Sequence, residues 1–293
     1  MERIDVKLSA DNEWLDAIKD INHGKWTRPR GLETLEKINH TTMCDMRYPV
    51  ITNKKRELGY RFMVAEAHWI LTGNNKLSTI KPFSKSIARF SDDGYFFRGA
   101  YGPKIVDQLQ YVCRILNDDI NTRQAVINIW RESPYDTDDV PCTISFQFLI
   151  RENKLNVIAN MRSNDLWLGW PYDNFNFSML GAYVALLMWD IYRMDLDLGV
   201  TVINAGSRHL YQSDHDKALE CVKAGENDFY DYRALNIKDL GIIKRGEDSP
   251  YEYGQGLAAM KFHDMMQFNP AKLSIKHLKK RHSMQELYLE DSN

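Results

Sequence analysis

Apolar residues recur at helical spacing in several stretches, which predicts helices over Glu13–Ile21, Glu57–Thr72, Pro103–Leu116, Phe175–Arg193 and Arg208–Ala224. Gly73 stands where the second of these would end, and Pro103 sits in the first turn of the third. Between Gln124 and Arg162 the character changes. Branched and aromatic residues gather in short runs at Ala125–Trp130, Cys142–Ile150 and Leu155–Met161, with the polar turn Arg151-Glu152-Asn153-Lys154 joining the last two, so strands are expected there. A further short strand is expected over Val200–Ala205. Gly24-Lys25-Trp26-Thr27-Arg28-Pro29-Arg30-Gly31 reads as a basic loop because of its glycines and proline.

Helices and strands mixed without strict alternation give an α+β class. No internal repeat or low-complexity segment interrupts the chain, and the expected organisation is a catalytic unit over residues 1–244 with a helical extension over 245–293. The longest uncharged run, Asn174–Trp189, has 16 residues and contains Asn, Ser and Gly, short of the roughly 20 apolar residues that a bilayer crossing requires. A buried helix accounts for it better.

Composition narrows the function classes. With 293 residues and 44% apolar content the chain can bury a sizeable core, and 38 basic against 40 acidic side chains leave a net charge of -2, which gives no general attraction to nucleic acid. The basic stretch Lys276–His282 reads as a solvated helix face. Four scattered cysteines without a Cys-x-x-Cys pair, and a charged N-terminus, point to a reducing, cytoplasmic setting. His209 and His215, with Asp214 and Asp216 nearby, fit no common zinc spacing, so no metal is expected.

The candidate chemistry lies in Met161-Arg162-Ser163-Asn164-Asp165-Leu166-Trp167-Leu168-Gly169-Trp170-Pro171-Tyr172-Asp173 and in Pro141-Cys142-Thr143. Cys142 is a candidate nucleophile, the Arg162 guanidinium matches phosphate oxygens, and Glu66 is a carboxyl within an apolar helix pattern, where burial would raise its pKa into the range useful for proton transfer. These segments, together with Asn204–Tyr211, Tyr48–Lys55, Glu66–Gly73 and Ala100-Tyr101-Gly102, resemble in order and spacing the blocks of the thymidylate synthase superfamily over roughly residues 25 to 220. Within it the local spelling is similar to that of the phage deoxycytidylate hydroxymethylases: Cys142-Thr143 stands where synthases have Cys-His, Gly206-Ser207-Arg208-His209-Leu210-Tyr211 where they have Gly-Asp-x-His-x-Tyr, and Asp173 where they have Asn.

The resemblance implies a mixed sheet with a long buried central helix and a homodimer formed through the sheet. It implies 5,10-methylenetetrahydrofolate as cofactor and a pyrimidine nucleoside monophosphate as substrate, with no membrane and no direct nucleic-acid partner. Cys142 would add to C6 of the ring, making C5 nucleophilic toward the one-carbon unit. Water attack on the resulting exocyclic methylene yields a hydroxymethyl group, whereas hydride transfer from the folate yields a methyl group. By the same resemblance Glu66 shuttles the proton and Asp173 reads the base. Arg162, Ser163 and Arg123, supplemented by Arg28 or Arg30, bind phosphate, Arg123 from the partner subunit. His209 and Tyr211 bind the sugar, Gln147 lies on the substrate, and Asp165, Gly169 and Trp69 face the folate. A carboxyl that keeps its proton can donate to cytosine N3 and accept from N4, which favours (d)CMP. A thymidylate synthase, a dUMP hydroxymethylase and a non-catalytic nucleotide-binding protein are the alternatives.

Overall fold

The computed structural model describes residues 8–53, 55–132 and 136–225. Among these, β1 (Lys25–Thr27), β2 (Thr34–Asp45), β3 (Val126–Asn128), β4 (Thr143–Arg151), β5 (Lys154–Asp165) and β6 (Asp197–Tyr211) form one sheet in the order β1-β2-β6-β5-β4-β3. Neighbours are antiparallel except β5 and β6, which run parallel and are joined by the 23-residue helix α5 (Trp170–Tyr192). Around it lie α1 (Ala10–Ile21), α2 (Tyr60–Leu71), the short α3 (Leu77–Ile80), α4 (Tyr101–Asp118) and α6 (Gln212–Ala224).

Helix α5 is apolar around most of its circumference, so it is buried on several sides. It packs on β5 and β6 and against α1, α2 and α4. Gly181 sets how closely it lies: a Cβ there would come within 2.5 Å of Met46 Sδ and 2.7 Å of Val157 Cγ2. One turn earlier, Ser178 and Thr201 pair their hydroxyls at 2.9 Å, satisfying two polar groups inside an apolar layer. Ser9 caps α1 by accepting from the Asn12 amide at 3.3 Å, and the Trp14 indole N–H of that helix reaches the Leu166 carbonyl. Helix α2 ends at Leu71, and Gly73 follows with φ 69°.

Several boundaries differ from the pattern-based expectation. Lys25–Thr27 is a strand paired with Thr34–Glu36, not loop, because the β2 edge supplies hydrogen-bond partners that no local pattern announces. The helix expected from Arg208 begins at Gln212, since Arg208–Tyr211 complete β6 between β2 and β5. Strands β5 and β6 run longer than their apolar runs, and the 12-residue β2 lies in a polar stretch that gives no strand signal. The extension assigned to 245–293 lies outside the described residues.

One irregular row explains why the strands outrun their patterns. In β5 the buried positions are Leu155, Val157, Ala159 and Met161, but beyond Arg162 the buried one is Asn164. In β6 Thr201, Ile203 and Ala205 are buried, but beyond Gly206 burial takes in Arg208 and Leu210. The paired residues pass from Met161↔Ala205 to Ser163↔Ser207 and from His40↔Ala205 to Ile38↔Ser207, skipping the row Asn39–Gly206–Arg162, where Asn39 takes a φ of 56°. Such a break switches which side chains face the core. It turns Asn164 and Arg208 inward and leaves Arg162 exposed.

Candidate active site

Cys142 sits one residue before β4, and its carbonyl accepts the Arg162 amide N–H at 2.8 Å, so nucleophile and arginine are joined by backbone before their side chains meet. The Arg162 guanidinium then donates through Nε to the Pro141 carbonyl at 3.0 Å and through Nη2 to the Val140 carbonyl at 3.1 Å, with Nη2 3.7 Å from Cys142 Sγ. It thus fastens the turn that presents the thiol while leaving Nη1 without an acceptor among the described residues. Burial pushes the Cys142 thiol up from its ordinary value, the Arg162 cation pulls it down, Asp173 pushes it up and Arg30 pulls it down. Behind it the Tyr101 hydroxyl accepts the Thr143 amide N–H at 3.2 Å, and its electrostatic neighbours are Cys142 and Asp173.

Two carboxyls on two helices lie in each other's field, and one of them, Asp173, lies also in that of this cysteine. Glu66 on α2 is partly buried and accepts from Asn176 Nδ2 on α5 at 2.8 Å; burial raises its pKa to about 7 against the pull of that bond. Asp173, in the first turn of α5, is raised to about 8, chiefly by burial and then by the charge of Glu66. Arg208 and the amide of Asn164, which donates to Asp173 Oδ2 at 2.7 Å, act in the opposite direction. A helix N-terminus stabilises a carboxylate by about 0.3 to 1 kcal/mol, and one pKa unit is about 1.4 kcal/mol. Desolvation therefore outweighs the dipole here. At neutral pH Asp173 keeps its proton and can donate as well as accept.

Arg208 itself is 0% exposed. Its Nη1 donates to Asn164 Oδ1, and its Nη2 donates to Thr42 Oγ1 at 3.3 Å and to the Ile203 carbonyl at 3.1 Å. Thr42 Oγ1 also accepts the Trp170 indole N–H at 2.8 Å, tying the start of α5 to the same point. Burial lowers the Arg208 pKa to about 9, and the Asp173 carboxyl works against that whenever it ionises.

The other expected residues divide. His209 and Tyr211 do share a strand face: their rings meet edge to face with centroids 5.3 Å apart, and Arg30 Nη2 lies 3.5 Å from the Tyr211 hydroxyl. Ser163 pairs with Ser207 and Asp165 with His209 across β5 and β6. Asp165 accepts the Trp167 amide at 2.8 Å, and burial raises it to about 6. Gly169 lies under Asp173, where a Cβ would come 3.3 Å from Oδ2. Three residues stand apart. Gln147 Nε2 is spent on the Arg123 carbonyl at 2.8 Å, five positions along β4 from Cys142, and the Arg123 side chain is exposed beside β3. Trp69 is 8% exposed, with its N–H on the Lys76 carbonyl and its ring against Phe97, so it offers little surface to a ligand.

Sequence reasoning did not single out Arg208, Asn164, Asn176 or the Tyr101 hydroxyl. Arg208 carried no local signal, because only the pairing of β6 with β2 and β5 and the break at Gly206 decide which face it takes. Among the described residues no group of three or more His, Cys, Asp or Glu side chains is placed to hold a metal, and no helix is long and apolar enough to cross a membrane.

A single mixed sheet, a helix packed on its face, and a cysteine beside an arginine with the raised carboxyl of Asp173 in its field define a class, and the thymidylate synthase family profile matches residues 12–239. The chain belongs to the thymidylate synthase family. It is 29% identical over 211 residues to a deoxyuridylate hydroxymethyltransferase of Bacillus phage SP01, an alignment covering 65% of this chain and 51% of the phage protein. The chain thus spans about half the length of that relative.

Proposed function

We propose that this protein is a folate-dependent hydroxymethyltransferase acting at C5 of a pyrimidine nucleoside monophosphate, with cytidylate as the preferred base. The observation that carries the pyrimidine-nucleotide reading is Cys142 Sγ held 3.7 Å from Arg162 Nη2, and cytidylate is favoured by Asp173 standing where the synthases carry Asn. Cys142 Sγ adds to ring C6, and the electron pair displaced toward C5 makes that carbon the nucleophile. Glu66, poised near 7 and oriented by Asn176, holds the proton that is moved at C5 and orders the water that becomes the hydroxyl. Arg162, through its unengaged Nη1, and Ser163 hold the phosphate, with Arg30 nearby. His209 and Tyr211 present one polar face to the sugar. Arg123, exposed beside β3, serves a second copy of the chain in a homodimer.

The site suits a folate. The Asp165 carboxyl is partly accessible and sits beside Leu168, whose side chain is exposed, and beside Gly169, so a planar ring with N–H groups finds both a polar acceptor and an apolar edge. When bound, 5,10-methylenetetrahydrofolate supplies a one-carbon unit at the oxidation level of formaldehyde. The chain's own part is to orient the ring, hold the proton at Glu66 and admit one water.

A uridylate substrate is the second reading, favoured by the phage relative, whose name gives deoxyuridylate. Product mass spectrometry with methylenetetrahydrofolate and each of dCMP, CMP, dUMP and UMP, while following dihydrofolate absorbance, separates them. Hydroxymethylated cytidylate without dihydrofolate is the expected result. Hydroxymethylated uridylate alone would correct the base assignment, and methylated uridylate with stoichiometric dihydrofolate would overturn the hydroxymethyltransferase reading.

A further inference from the structure

A protonated carboxyl is by itself ambiguous. Turned by half a rotation it offers donor and acceptor in either order, so it can pair with the N3 acceptor and N4 donor of cytosine or with the N3 donor and O4 acceptor of uracil. Base choice therefore needs something that decides which oxygen of Asp173 carries the proton. The residues behind it supply such a device.

We infer that Arg208, acting through Asn164, is a positioning residue that fixes Asp173 Oδ2 as an acceptor and confines the carboxyl proton to Oδ1, and that this asymmetry sets base selectivity. The inference rests on the reading that Asp173 meets the base. Asn164 and Arg208 are register partners on β5 and β6, and both are turned inward by the irregular row at Arg162 and Gly206. A guanidinium has only donors, so the Asn164 side chain must turn its oxygen to Arg208. Its Nδ2 then points the other way, at Asp173 Oδ2, 2.7 Å distant. An oxygen accepting that N–H is not the one that carries hydrogen, which leaves Oδ1. Thr42 and the Ile203 carbonyl stop the guanidinium from swinging aside, and Trp170 holds Thr42.

A purely structural account is weaker. The guanidinium is fully buried, its Nε makes no hydrogen bond, and among the described residues no carboxylate lies within ion-pair distance of it. An apolar side chain of similar volume is commonly as stable or more stable at such a position. What an apolar residue cannot do is forbid the Asn164 amide from flipping.

The test is the ratio of dissociation constants for dCMP and dUMP, measured by calorimetry without folate, in the wild type, Asn164→Asp, Asn164→Leu, Arg208→Met and Asp173→Asn. Asn164→Asp keeps a partner for Arg208 but presents Asp173 with an acceptor instead of a donor, moving the proton to Oδ2. The wild-type preference, whichever base it favours, is expected to invert in Asn164→Asp and to fall to within about twofold of unity in Asn164→Leu and Arg208→Met. A merely structural contact predicts weaker binding of both nucleotides with the ratio kept. An unchanged ratio in Asn164→Asp alongside an altered one in Asp173→Asn overturns this inference and leaves the base-reading role standing. An unchanged ratio in Asp173→Asn overturns both. Should Arg208→Met not fold, the two Asn164 variants carry the test.

Discussion

Asn176 on α5 donates its side-chain amide to Glu66 on α2, Nδ2 to Oε2 at 2.8 Å, so two helices that pack on each other also share the carboxyl proposed to handle the proton. Burial raises Glu66 to about 7, and this bond is what restrains it. Replacing Asn176 with Ala removes the restraint, and Glu66 must then hold its proton to a higher pH. The limb of the pH–kcat profile set by Glu66 is expected to move alkaline, while nucleotide affinity changes little. Steady-state kinetics from pH 5.5 to 9 read the shift, and an acid shift would exclude Glu66 as its source.

Asp173 makes stability depend on pH in a defined direction. Its folded value is about 8 against an ordinary 3.8, so between these the folded state holds a proton that the unfolded state has lost. The stabilisation is complete below about 3.8 and is lost as pH rises through about 8. Asp173→Asn removes the titration. Its melting temperature is expected to match the wild type near pH 4.5 and to exceed it near pH 8.5. Thermal melts at the two pH values check this.

Arg162 has two duties that separate in one experiment. Its cation is the largest influence lowering the Cys142 thiol, and its side-chain bonds to Val140 and Pro141 hold the turn before β4. In Arg162→Gln the thiol is expected to ionise at higher pH and to alkylate roughly threefold to tenfold more slowly at pH 8 with iodoacetamide. Unchanged alkylation with weakened nucleotide binding would mean that the arginine serves the phosphate alone.

Gly181 offers a test of packing away from the chemistry. Ala at this position forces a methyl group against Met46 and Val157, where the space between α5 and the sheet is already filled. A loss of about 1 to 3 kcal/mol in unfolding free energy is expected. Asp173 rides on the first turns of the same helix, so kcat should fall as well, more than KM changes. Denaturant unfolding and kinetics on the same sample measure both.

Much of the architecture was legible because α5, β4 and the first half of β5 carry apolar patterns dense enough to specify their burial. Cys142, Glu66, Arg162 and Asp173 were legible for another reason: each is a reactive or charged residue in a spelled block, and the fold gathers them around the start of β4. What escaped were features that exist only through pairing. Strand β2 is polar along much of its length and becomes a strand because β6 lies beside it. Arg208 looked like the start of an amphipathic helix because Leu210, Ala218 and Cys221 fall at compatible spacing, and only the neighbouring strands on both sides hold it extended. Gln147 and Trp69 were carried in by their blocks, yet the Gln147 Nε2 and the Trp69 indole N–H are already bonded to backbone carbonyls elsewhere.

The skipped row at Asn39, Gly206 and Arg162 divides two strands by occupation. Ahead of it, β5 and β6 send Val157, Ala159, Ile203 and Ala205 into a layer that answers only to volume. Past it, the same two strands carry Ser163, Asn164, Asp165, Ser207, Arg208 and His209, where hydrogen-bond polarity governs. The two halves can drift independently: a methyl group gained or lost before the row changes how firmly the molecule holds together, whereas one amide turned around after it changes what the molecule recognises.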